Sequence, residues 1–124
     1  MKFRNIAGRG IFGESKVKGK LPMTGKYMAY VGSYSYTGKA KGITVYDVDV
    51  EAGKFIYRCE VEVDNSSYLK ASQNGQILYS IADEGVVAFR VLSNGSLARL
   101  NSANIRGMRG CHLSTSKADD YIFI

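Results

Sequence analysis

The chain holds little from which a metal centre, a disulfide framework or a membrane anchor could be built. Its 124 residues include one histidine (His112), one proline (Pro22) and two cysteines (Cys59 and Cys111). Two cysteines in strand-like contexts of different repeats make no disulfide scaffold, and without a Cys-x-x-Cys pair the common zinc spacing is missing. Reduced thiols are expected. No apolar run approaches the roughly 18 residues of a membrane span, and the N-terminus lacks the apolar stretch of a signal peptide. Neither a Gly-x-Ser-x-Gly elbow nor a His-Glu-x-x-His segment occurs. The stretch from Gly19 to Lys26 puts Tyr27 where a phosphate loop needs Ser or Thr to hold magnesium. A cytoplasmic protein without metal, cofactor or membrane partner is the expectation.

Acidic residues are scarce at one end only. Residues 1–26 carry Lys2, Arg4, Arg9, Lys16, Lys18, Lys20 and Lys26 against Glu14, which accounts for the whole net charge of +6. From Tyr27 onward ten basic residues balance ten acidic ones. The neutral part gives no reason to expect a nucleic-acid partner. The first segment, with five glycines, the proline, scattered lysines and no apolar period, reads as a basic, disordered extension. Met23 or Met28 would then be the natural start. A basic arm for RNA or anionic lipid is the functional alternative, but its charges are spread and no aromatic ladder accompanies them.

The informative feature is repetition. Ser67-Tyr68-Leu69, a turn at Asn74-Gly75 and Ile77-Leu78-Tyr79 recur about 44 residues later as Cys111-His112-Leu113, a turn at Asp119-Asp120 and Tyr121-Ile122-Phe123. Gly42-Ile43-Thr44-Val45-Tyr46 through Gly53-Lys54-Phe55 likewise matches Gly85-Val86-Val87-Ala88-Phe89 through Gly95-Ser96-Leu97. A fixed period in the low forties, filled with short strands and tight turns, is the signature of four-stranded propeller blades. The predicted fold is therefore all-β, with about two and a half blades in residues 27–124. Known propellers close with roughly 4 to 8 blades, so the chain reads as the N-terminal part of a longer protein. Exposed blade edges in such a piece predict self-association.

The pattern predicts strands near 27–33, 43–50, 55–63, 67–72, 77–81, 86–92 and 96–100, with 101–110 crossing to the next blade. In 55–63 the alternation separates Ile56, Arg58, Glu60 and Glu62 from Phe55, Tyr57, Cys59, Val61 and Val63. If the first strand of each blade is innermost, residues 64–67, 82–85 and 101–112 converge on one end of the sheets, the end where ligand sites of such folds collect. That end holds every candidate. His112 could serve as a base, and Asp83 or Glu84 in the neighbouring turn could orient it or a water. Arg106 and Arg109 could clamp a phosphate or carboxylate, and Asn65 and Ser66 could bind hydroxyl groups. The alternative for each is a solvated or self-satisfied turn.

Seven ordered motifs carry a resemblance. Tyr30-Val31-Gly32-Ser33-Tyr34, Thr37-Gly38, Gly42-Ile43-Thr44-Val45-Tyr46, Ser66-Ser67-Tyr68-Leu69, Gly75-Gln76-Ile77-Leu78-Tyr79, Gly85-Val86-Val87-Ala88-Phe89 and Gly110-Cys111-His112-Leu113-Ser114 together resemble the lactonase family of seven-bladed propellers, whose named activity is 6-phosphogluconolactonase. The resemblance spans residues 27–124. It implies hydrolysis of a sugar lactone, 6-phosphogluconolactone or a related aldonolactone, to the open acid in the cytosolic pentose phosphate route, with no metal required. By position it implies His112 and Glu84 as catalytic residues. Ser66 and Gly110 stand where the family has proline, and the turn at 82–85 is shorter. A non-catalytic propeller that binds or scaffolds is the competing class, because fold does not fix function.

Overall fold

Val, Ile, Tyr, Phe and Thr dominate the segments between turns, and such side chains fit a pleated, half-buried surface. The computed structural model describes residues 3–7 and 27–124 and resolves that pattern into ten strands in chain order. They are β1 (Phe3–Ala7), β2 (Tyr27–Gly32), β3 (Gly42–Asp49), β4 (Lys54–Glu62), β5 (Leu69–Ala71), β6 (Ile77–Ile81), β7 (Gly85–Val91), β8 (Leu97–Asn104), β9 (Ser114–Thr115) and β10 (Ile122–Phe123). Two antiparallel four-stranded sheets, ordered β1-β2-β3-β4 and β5-β6-β7-β8, are followed by the hairpin β9-β10. Consecutive strands are neighbours in each sheet, as in propeller blades.

Two elements differ from the expectation. Phe3–Ala7, read as part of an extension that does not pack, pairs with β2 from Phe3↔Val31 to Ala7↔Tyr27. It stands in the sheet where β5 stands in the next one. Residues 1–2 and 8–26, the rest of that expectation, lie outside the described residues. The segment 101–104, read as crossing loop, continues β8, because Gly85 pairs with Asn104 and Val87 with Ser102.

The turns repeat as the strands do. Ser72 O accepts from Gly75 N–H at 3.0 Å, and Gly75 takes φ +70°, closing a turn whose last residue is left-handed. In the next repeat Ser116 O accepts from Asp119 N–H at 3.1 Å, and Asp119 takes φ +60° in glycine's place. Asp tolerates that region because its short side chain can bond locally. Here the Asp119 carboxylate accepts from Gln73 N–H at 2.7 Å, tying the third repeat's turn to the second's.

Each sheet carries one β-bulge at the same place. Val45 pairs with Cys59 but Tyr46 pairs with Tyr57, so Arg58 is the extra residue; Ala88 pairs with Asn101 but Phe89 with Arg99, so Leu100 is its counterpart. The bulge corrects the simple alternation expected for 55–63. Cys59 and Val61 pack on the core, whereas Phe55 and Tyr57, expected on the same face, lie exposed with Tyr46 against their rings. One inserted residue exchanges the faces of everything beyond it.

The core lies between the two full sheets. Met28, Tyr30, Ile43, Val45 and Val63 from the first meet Leu69, Ala71, Leu78, Val87 and Phe89 from the second. Fully burying each large apolar side chain contributes roughly 1.5–3 kcal/mol, so this seam holds most of the fold's stability. Polar contacts complete it. Tyr30 OH donates to Gly95 O at 2.6 Å, and Arg58 Nη1 donates to Asn94 O at 2.6 Å. A smaller cluster of Tyr68, Ile81, Val86 and Leu113 joins the second sheet to the hairpin. Close backbone approach fixes the ends of the outer pairs: a Cβ at Gly42 would strike Val63 O, and one at Gly85 would strike Ala103 O. Cys59 and Cys111 are both free thiols.

Candidate functional site

The predicted convergence of loops at one end of the sheets is present, and Asn65 is its pivot. Asn65 follows β4 at the crossing between sheets, is 6% exposed and has φ +51°, a conformation that Asn accepts more readily than most residues. Its Oδ1 accepts from the backbone N–H groups of Ser35 at 2.8 Å and Tyr36 at 3.0 Å, and its own N–H donates to Ser35 Oγ at 3.0 Å. Its Nδ2 donates to Asp83 Oδ1 at 3.0 Å and Oδ2 at 2.8 Å. One buried amide thus joins the loop after β2, the first crossing and the β6–β7 turn.

Asp83 carries the chain of contacts to the next crossing. Its Oδ1 lies 2.7 Å from Arg109 Nη2, and the Arg109 guanidinium carbon sits 5.5 Å from the Tyr34 ring centroid. The two charged side chains are 37% and 42% exposed. An ion pair so wet contributes at most about 1 kcal/mol to stability, so its consequence is orientation. Arg109 lies 44 residues after Asn65, the offset of the repeat, so equivalent points of two successive crossings meet on one carboxylate.

These groups border a cleft of about 650 Å³ lined by Tyr34, Ser67, Asp83, Met108, Arg109 and Cys111. That volume suits a small ligand. Met108 is 93% exposed at its edge. Ser67 Oγ is buried in its wall and has no hydrogen-bond partner among the described residues. The cleft therefore offers a guanidinium, a carboxylate, an unsatisfied hydroxyl and an aromatic ring. Such a set can hold an oxygen-rich molecule.

The residues expected from sequence are distributed unevenly around it. Arg109 lines the cleft. His112 follows Cys111 just ahead of β9, is exposed, and sets its ring edge-on to Tyr68 at 4.7 Å between centroids. Glu84 is not in the cleft: it lines a separate groove of about 300 Å³ with Asp64, Arg99 and Asn104, and no hydrogen bond joins it to His112 among the described residues. Asp83, one residue earlier in the same tight turn, lines both that groove and the cleft. Asn65 and Ser66, expected to meet ligand hydroxyls, are both turned inward. Asn65 is spent on the loops it ties, and Ser66 is fully buried with its hydroxyl 2.7 Å from Ser80 Oγ. Arg106 is exposed at φ +53° and does not line the cleft; its N–H donates to Asn104 Oδ1 at 2.6 Å. Tyr34, Ser67 and Met108 were missed. Only the place of Ser67 at the end of the predicted 64–67 turn hinted at one of them.

Comparison with known proteins agrees with this architecture. A family model described as lactonase, 7-bladed beta-propeller, matches residues 28–124. A 6-phosphogluconolactonase of Formosa agariphila is 30% identical over 103 residues, covering 77% of this chain and 29% of the relative. A crystal structure from Bacteroides fragilis, described as a candidate 6-phosphogluconolactonase, superposes with a TM-score of 0.69 at 28% identity, over 80% of this chain and 29% of that one. A second, from Bacteroides uniformis, gives a TM-score of 0.64 at 24% identity, over 71% of this chain and 27% of that one, and speaks to the fold alone. The chain thus spans under a third of the length of these relatives. With repeated four-stranded sheets, matching bulges and a family match across nearly all residues after 27, the chain belongs to the lactonase family of seven-bladed β-propellers.

Proposed function

We propose that these residues form one sector of a propeller that hydrolyses a sugar lactone, 6-phosphogluconolactone or a related aldonolactone, to its open acid. The observation that carries this reading is the circuit from Asn65 through Asp83 to Arg109, which sets a guanidinium at the mouth of a cleft beside the histidine-bearing crossing. The names of the similar proteins support the choice of reaction class.

The chemistry asks little of the chain. Water adds to the ester carbonyl carbon as a base removes its proton; the ring C–O bond then breaks, and the departing ring oxygen takes a proton to become a hydroxyl. His112 is the base and proton shuttle in this reading. Arg109 holds a substrate oxygen, and the unpartnered Ser67 hydroxyl would gain a partner when a lactone oxygen fills the cleft. Other sectors of the ring would complete the site.

The test is hydrolysis of δ-gluconolactone and its 6-phosphate by the propeller that carries these residues, followed by base titration at constant pH. His112→Ala should lower kcat/KM at least ~100-fold, the usual share of a general base. Unchanged hydrolysis would remove His112 from the mechanism, and hydrolysis of neither lactone would favour a binding module.

A further inference from the structure

Asp83 stands between two successive blade crossings, and its contacts give it a task beyond lining the cleft. We propose that Asp83 is a positioning residue that fixes the Arg109 guanidinium over Tyr34, with Asn65 holding Asp83 in turn; its kinetic consequence rests on the lactonase reading above, its structural consequence does not.

An arginine on an exposed loop has many rotamers open to it, and three observations say that this one is confined. Asp83 sits in a two-residue turn closed on both sides, Ala82 N–H to Gly85 O at 2.8 Å and Gly85 N–H to Ala82 O at 3.4 Å, so its backbone has little freedom. Both of its carboxylate oxygens accept from the buried Asn65 amide. The guanidinium then lies against that carboxylate on one side and over an aromatic ring on the other, an arrangement its planar fork suits. Arg106, three residues earlier in the same crossing, is exposed and has no carboxylate partner among the described residues. The protein therefore contains its own control: two arginines in one loop, one held and one not.

The first arm of the test needs no substrate. Limited labelling with phenylglyoxal, read by peptide mass spectrometry, should modify Arg106 several-fold faster than Arg109 in the unsubstituted protein, and Asp83→Asn should raise the Arg109 rate toward that of Arg106 while leaving Arg106 unchanged. Equal rates before substitution, or an Arg109 rate unmoved by it, would overturn the proposal. Asp83→Glu keeps the charge and shifts it by one methylene; it should give an intermediate rate and covers the case in which the Asn variant does not fold. The second arm is a double-mutant cycle on lactone hydrolysis. Asp83→Asn should lower kcat/KM about tenfold, mostly through KM, and should have no further effect once Arg109 is Ala. Equal losses in both backgrounds would show that Asp83 does not act through Arg109. If no lactone is hydrolysed the functional reading fails, and the labelling result still decides the positioning.

Discussion

The two seams of the molecule are built differently. Between the first and second sheets ten buried side chains interlock, and two hydrogen bonds reach across to the backbone of one turn. Between the second sheet and the β9-β10 hairpin the apolar cluster has four members, and Tyr121, Ile122, Phe123 and Ile124 beyond it are exposed. Yet the charged contact that shapes the cleft, Asp83 with Arg109, spans this second seam. The lesson is a division of labour. Packing that cannot easily shift holds the first seam, and polar groups half open to water occupy the second, where a ligand can reach them.

The sharpest way to break that contrast is to remove one large side chain from each seam. Phe89, 1% exposed in the first, should cost about 3–5 kcal/mol as Phe89→Ala. Leu113, equally buried in the second, should cost nearer ~2 kcal/mol as Leu113→Ala, because it packs in a cluster of four buried side chains where Phe89 packs in one of ten, and because a leucine leaves a smaller cavity than a phenylalanine. Urea denaturation of both variants beside the unsubstituted protein measures the difference, and equal losses would mean that the seams are alike.

Alkaline pH probes the first seam through Tyr30. Burial pushes the Tyr30 hydroxyl up to about 12 from 10, with Arg58 opposing the shift only in part. The sign follows from which state keeps the proton. Below pH 10 the phenol is neutral folded and unfolded, and its contribution is complete. Above pH 10 the unfolded chain loses the proton while the folded chain keeps it, so stability falls as pH rises toward 12. The total loss is about 2–3 kcal/mol, two pKa units at 1.36 kcal/mol each. Tyr30→Phe should cost about 1–2 kcal/mol at neutral pH, because Gly95 O loses its donor, and should remove this component of the alkaline slope. Denaturation midpoints at pH 8 and pH 11 check both. An unchanged slope in the Phe variant would place the alkaline sensitivity elsewhere.

How much of this was legible depended on whether the signal was periodic or local to one contact. The repeat offset gave the blades, the turn ending at Gly75 and the meeting of 64–67, 82–85 and 101–112 at one end, because each follows from strand count and direction. The bulges at Arg58 and Leu100 were not visible: one inserted residue leaves composition intact while turning Phe55 and Tyr57 to the face opposite Cys59 and Val61. The different placement of Asp83 and Glu84 was invisible for a similar reason. Asp83 lines both the cleft and the neighbouring groove whereas Glu84 lines the groove alone, a difference set by the geometry of the two-residue turn and not by composition. At Asn65 and Ser66 a polar residue near the cleft suggests a side chain facing it, whereas the Ser35 and Tyr36 N–H groups and the Asp83 carboxylate engage Asn65, and the Ser80 hydroxyl engages Ser66. Phe3–Ala7 was hidden by the basic, glycine-rich residues around it.

The smallest effect tests the contrast at the two crossings themselves, each of which has one non-glycine residue in left-handed backbone: Asn65 at φ +51° and Arg106 at φ +53°. Glycine suits that conformation, so Asn65→Gly and Arg106→Gly both relieve about 1 kcal/mol of backbone cost while adding a similar entropy to the unfolded chain. These terms nearly cancel at either site, which leaves the side chain to decide. Asn65→Gly removes the bonds to Ser35, Tyr36 and Asp83 and should cost ~2 kcal/mol, with Arg109 labelling faster as Asp83 loses its anchor. Arg106→Gly removes an exposed side chain that makes no hydrogen bond or ion pair among the described residues and leaves the backbone N–H bond to Asn104 Oδ1 in place, so it should change stability by less than about 0.5 kcal/mol. A large loss in the Arg106 variant would reveal that the second crossing is held by its side chains as firmly as the first.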